Sequence, residues 1–205
     1  MLKVLQWWQL KAALLRLINM KKINAKTAQE LTIHYDAIDE NAFELLKPEQ
    51  TPAEYIDELL AKEYFADSII FLAHALPKRE AIWWACLCAK VVTNDNTKAD
   101  DLASLTMSEK WVYEPDEKKR RMCGTLAEKG EYKSAQNWAA AAVFWSGGSI
   151  TKEDEPAIEP APYLYAHAVS GAILNAVGAS ETDKIDTQFQ EFINHGLNIA
   201  DGGNG

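Results

Sequence analysis

Apolar residues recur along this chain at spacings of three and four, and alternation at every second position is scarce. That period belongs to α-helices. It is cleanest at Phe65, Ile69, Leu72 and Leu76, which predict one buried helical face before Pro77 stops the helix and opens the next. Ahead of it, "TPAEYIDELLAK" supplies a full start signal: Thr51 as cap, Pro52 at the first helical position and Glu54 to close a capping box. Thr27 and Glu30 repeat the box in "TAQELTIHYDAI", and "DENAFELL" forms a short segment before Pro48.

Further along, "PDEKKRRMCGTLAEKG" predicts a helix opened by Pro115 and two acids and ended by Gly130. Ser134 is placed to cap "AQNWAAAAVFW", where Trp138, Ala141, Ala142 and Trp145 share a stripe. "SGGSITKEDEPAIEPAP" is the one long breaker-rich stretch and reads as a loop. The small residues of "YLYAHAVSGAILNAVG" allow a neighbouring helix to come close, and Ile185, Phe189, Phe192 and Ile193 predict a last amphipathic helix. The pattern as a whole predicts an all-α bundle of about nine to ten mostly antiparallel helices.

The stretch "PKREAIWWACLCAK" is unlike the others. No charge falls between Ala81 and Ala89, and Trp83 and Trp84 point about 100° apart, so both indoles are expected in the core. Lys78 and Arg79 stand in the first turn of that helix, where a cation opposes the helix dipole. Either an acid on a neighbouring helix or an anionic group on a partner is expected to compensate, which makes the pair a candidate partner- or anion-binding site.

Composition alters this picture in three places. The formal net charge of −9 over 205 residues argues against nucleic acid as a partner, because phosphate binding needs a basic footprint. Residues 1–22 hold five cations and no acid, so they form a basic N-terminal extension distinct from a single helical domain over 23–200 and a frayed tail over 201–205. Its charges interrupt any spanning or secretory run. Three readings stay open: a gene-model extension with Met20 as the start, a helix packed on the body, or a segment docking on a partner or, peripherally, on a membrane through residues 1–20. Finally, three cysteines suit the reducing cytoplasm better than a disulfide framework.

Together "TPAEYIDELL", "FLAHALPKREAIWWACLCAK", "AVSGAILNA" and "FINHGLNIA" make the chain resemble an uncharacterised family of bacterial all-helical proteins, over residues 23–200. Its most recognisable run is "PKREAxWWAC". The resemblance implies a setting near type VI secretion genes, and it implies no activity and no site residues.

Catalytic motifs do not emerge. His34, His74, His167 and His195 are scattered, without metal-ligand spacing to one another or to cysteine. "SGGS" lacks the spacing and the lysine of a phosphate loop, and "EPDEKKRRM" mixes both charges as a solvated helix start does. No cofactor or metal is called for. The expected function is therefore a non-catalytic adaptor, chaperone or accessory protein that meets a protein partner. The alternative is a small-molecule-binding protein or enzyme with a pocket among Trp83, Trp84, Trp138 and Trp145.

Overall fold

The structure, a computed structural model, describes residues 20–32, 39–152 and 154–205. The membrane- or partner-docking expectation for the N-terminal extension falls on residues 1–19, outside that range. So do His34 and most of the helix expected after Thr27. Among the described residues there are ten α-helices and no strand. They are α1 (Gln29–Thr32), α2 (Glu40–Phe43), α3 (Pro52–Ala61), α4 (Phe65–Ala75), α5 (Lys78–Val91), α6 (Ala99–Tyr113), α7 (Glu117–Lys129), α8 (Ala135–Phe144), α9 (Leu164–Gly178) and α10 (Ile185–Ala200). The fold is all-α. No helix among these residues is long and apolar enough to cross a membrane.

The chain divides into two compact units. One contains the residues up to Pro77 and Phe189–Gly205. Its helix starts follow the sequence closely: Thr51 and Glu54 make both bonds of a capping box, and Asp39 accepts from Asn41 N at 2.9 Å to cap α2. Tyr55 is fully buried, meets Phe71 edge-on at 5.0 Å and donates its hydroxyl to Ala42 O at 2.9 Å. A buried phenol thus has its partner.

The other unit, Lys78–Gln188, is organised around α8, which packs against α5, α6, α7 and α9. Ala139 to Ala142 are all buried, and their small side chains are what let four helices approach one axis. Polar residues on α8 reach neighbouring helices, although Asn137 Oδ1 is buried without a hydrogen-bond partner. Gln136 Nε2 donates to Ala89 O at 3.1 Å, closing the end of α5, and Asn137 Nδ2 donates to Ser104 Oγ on α6 at 3.1 Å. Gly130 ends α7 without the left-handed backbone that usually explains such a glycine, since its φ is −79°. The reason is space, because a Cβ there would lie 2.3 Å from the Asn137 amide.

Trp84 is fully buried and Trp83 is not. Trp83 and Leu87, one turn apart, are half-buried, and Trp83 meets the exposed Tyr113 edge-on at 5.7 Å. The uncharged run therefore has one side open, a departure from the all-round burial that its composition predicts.

Candidate functional site

A helix leaves its last four carbonyls unpaired and its C-terminal end partly negative. In the second unit, that need is met by the cations of two basic runs. Lys78 Nζ donates to Ser146 O just beyond α8 at 2.7 Å and lies 5.4 Å from the centre of the Tyr165 ring. Arg79 Nε donates to Val112 O at 2.6 Å, at the end of α6. Lys119 Nζ donates to Glu114 O at 3.0 Å. The compensation expected for Lys78 and Arg79 thus comes from helix-end carbonyls, a source that neither reading of the sequence included.

Arg120 carries this furthest. Only 4% exposed, it donates from Nη1 to Phe144 O at 2.5 Å and from Nη2 to Ser149 O at 2.8 Å. Its Nε and Nη2 also reach Glu117 at 2.6 and 2.7 Å, and its guanidinium lies 5.0 Å from the Phe144 ring centre. These bonds, with burial opposing, hold the Glu117 carboxyl below its ordinary range. Gly148 is needed beside it: its φ of +65° suits glycine, and a Cβ would sit 3.0 Å from Arg120 Nη2. Arg121 completes the latch, with Nε 2.8 Å from Glu117 Oε1 and Nη1 donating to Thr151 O at 2.9 Å.

The loop held in this way forms one wall of an open groove of about 550 Å³. Arg121, Thr125 and Glu128, spaced four and three along α7, form the facing wall. Phe144, Trp145, Ile150, Thr151 and Lys152 lie opposite, and Tyr132 joins them from the α7–α8 turn. Tyr132 and Trp145 are nearly parallel, 18° apart with centroids at 6.0 Å, and Trp138 backs both at 5.8 and 6.3 Å. Gly171 on α9 allows this, because a Cβ there would come 3.3 Å from the Trp138 ring. The turn is strained: Glu131 and Tyr132 both take left-handed backbone, φ +54° and +55°, which costs about 1–3 kcal/mol per residue. Burial, and then the Glu128 carboxylate, raise the Tyr132 phenol above its ordinary value.

Of the four candidate pocket tryptophans, Trp145 lines this groove, Trp138 stands behind it, Trp84 is core and Trp83 packs on Tyr113. The sequence did not single out Arg121, Thr125, Glu128, Tyr132 or Lys152. The available signal was the shared helical face of Arg121, Thr125 and Glu128, opposite a tryptophan that ends the next helix.

What the groove can do is recognise. It is lined by three aromatic side chains, two cations, one carboxylate and two threonines, and among the described residues no thiol or imidazole lines it. The thiols lie elsewhere, all buried. Burial pushes the Cys123 thiol up to about 12 and the Cys86 thiol well above its ordinary value, so neither is a ready nucleophile. His74 is buried with Nδ1 2.8 Å from Ile70 O, and His195 Nε2 lies 3.9 Å from Glu191. Among the described residues, no three His, Cys, Asp or Glu converge as metal ligands would.

No curated protein and no solved structure matches the chain. A family model does match, over residues 55–200, and the chain belongs to that family, a family of unknown function (DUF6931).

Proposed function

We propose that this protein is a non-catalytic helical interaction module, an adaptor, chaperone or accessory subunit, whose contact site is the groove at Trp145. One observation carries the reading: Trp145, Tyr132 and Arg121 converge on a surface cleft beside a strained turn. Trp, Tyr and Arg are the residue types that dominate binding energy at protein interfaces. Lys78 and Arg79 stay outside the proposal, because their donors serve the fold. The three free, buried cysteines support a cytoplasmic place of action. The secretion setting implied by the resemblance belongs to the same reading and directs the search for the partner.

The test is a photo-crosslinking residue at Thr125, which is exposed on the groove wall, introduced into the chain in its native cells. A discrete crosslinked protein is expected, absent when the same residue stands at exposed Asn175 and lost on Trp145→Ala. The same product from both positions, or none from Thr125, would remove the reading. The groove's volume of about 550 Å³ also falls within the range of small-molecule sites, about 300–1,000 Å³. A metabolite that co-purifies with the wild type but not with Trp145→Ala, with no protein crosslinked at Thr125, would favour that second reading.

A further inference from the structure

We propose that the groove takes an arginine side chain of the partner protein, its guanidinium laid flat against Tyr132 and Trp145 and its N–H donors turned to the Glu128 carboxylate. This rests on the groove being the contact site, and it adds the chemistry of what enters.

The first argument is a charge that the fold leaves unanswered. Glu128 stands exposed in the last turn of α7, at the negative end of the helix dipole, where a carboxylate is unfavourable. Among the described residues no cation pairs with it. The two lysines nearest in the chain are taken, Lys129 by Asp100 at 2.8 Å and Lys133 by Glu131.

The cations of the groove are answered elsewhere. Arg121 pairs with Glu117 at 2.8 Å and donates to Thr151 O, and it stands about 10 Å from Glu128 along the helix axis. Arg120, which shares Glu117, turns donors to the carbonyls at and beyond the end of α8. Lys152 is followed by three acids in the sequence, and Glu155 accepts from its backbone N–H at 3.4 Å. These three cations are thus outnumbered by Glu117, Glu128 and the three acids after Lys152. The surroundings are negative, as the whole chain is at −9, so a basic group is drawn in and an acidic one turned away.

The second argument is the shape of the aromatic pair. Tyr132 and Trp145 are parallel to within 18°, so a flat group laid on one ring is aligned with the other. Guanidinium is the planar cation among side chains: it stacks on aromatic faces and forks onto a carboxylate, which a lysine ammonium cannot do. After burial, it is Glu128 that raises the Tyr132 phenol, so the charge and the ring act at one place. Tyr132 reaches that place through two consecutive left-handed residues, and strain of this kind collects at binding sites.

The experiment selects random short peptides displayed on phage against the immobilised full chain, with Trp145→Ala for counter-selection. Winning peptides are titrated onto the wild type and onto Glu128→Gln, and again with each arginine replaced in turn by citrulline, its neutral isostere. Enriched peptides are expected to carry arginine, and to bind about tenfold more weakly on Glu128→Gln or with citrulline at one position. Glu128→Gln itself should melt no lower than the wild type, because it removes a charge that opposes the helix dipole. A pool rich in Asp and Glu, equal binding to Glu128→Gln, indifference to citrulline, or no enrichment that depends on Trp145 would each overturn the proposal. So would a clear fall in the melting of Glu128→Gln, which would make that carboxylate a part of the fold. If any of these occurs while the Thr125 crosslink to a partner persists, the arginine assignment fails and the contact site stands. If the crosslink is missing too, the site itself is wrong.

Discussion

Replacing Arg120 with methionine removes its five N–H donors while keeping much of the stem that packs on Phe144. Two carbonyls then lose charged donors, Phe144 O at 2.5 Å and Ser149 O at 2.8 Å. A hydrogen bond to a charged group contributes about 1.5–3 kcal/mol. Phe144 and Ser149 are half-buried, so water recovers part of each loss. Glu117 is mostly exposed and rehydrates readily. The net cost is about 2–4 kcal/mol, a drop of about 10 °C in melting temperature for a unit of this size. Lys118→Met, two positions away at an exposed site, should stay within about 0.5 kcal/mol of the wild type. Urea denaturation followed by circular dichroism measures both. The pH dependence supplies a second readout. Because the folded Glu117 carboxyl titrates below its ordinary 4.5, its contribution is present above that value and is lost as pH falls through the folded one. Stability below about pH 4.5 should therefore fall less steeply in Arg120→Met than in the wild type. An Arg120→Met protein as stable as Lys118→Met, with an unchanged acid limb, would refute the claim that this arginine closes the end of α8.

Three further outcomes follow from the packing. Trp84→Ala should cost about 3–5 kcal/mol and Trp83→Ala clearly less in the same denaturation assay, since only Trp84 is fully enclosed; equal costs would contradict the burial. Gly130→Ala should destabilise by more than about 1 kcal/mol, the reverse of what an alanine gives at an unstrained helix end, because its Cβ meets the Asn137 amide. Thiol labelling with an aromatic disulfide at pH 8 should modify none of Cys86, Cys88 and Cys123 in the folded chain and all three in urea; rapid labelling of the native protein would show a thiol more open than the structure has it.

The helices were legible because their signals are local. Thr51 with Glu54, and Ser134 before the α8 stripe, depend on residues three positions apart, and each cap is formed as read. Long-range matches were hidden. Lys78 finds Ser146 68 positions away and Arg79 finds Val112 33 away, so nothing near either residue in the chain announces that a helix end will receive it. Gly130 was readable as a terminator and misread in cause, since the Asn137 side chain that demands it arrives only with the packing of α8. The groove was half visible. Trp145 stood out by its type, but Tyr132 takes its place through two consecutive left-handed residues that no turn signal marks, and Arg121 looked like one more charge in a solvated run. The open side of Trp83 shows the limit of composition: a run without charge still has a direction, and the neighbours decide which side is covered.

The division of labour in the second unit can be measured in one spectrum. The chain is labelled with 5-fluorotryptophan, its resonances are assigned by single Trp→Phe replacements, and the partner captured at Thr125 is titrated in. If the groove is the contact site, the Trp145 resonance shifts on binding, with a smaller response from Trp138 behind it, while Trp84 in the core and Trp83 beside Arg79 and Tyr113 hold their positions. A shift at Trp83 with Trp145 unmoved would place the contact on the opening turns of α5 and contradict the account.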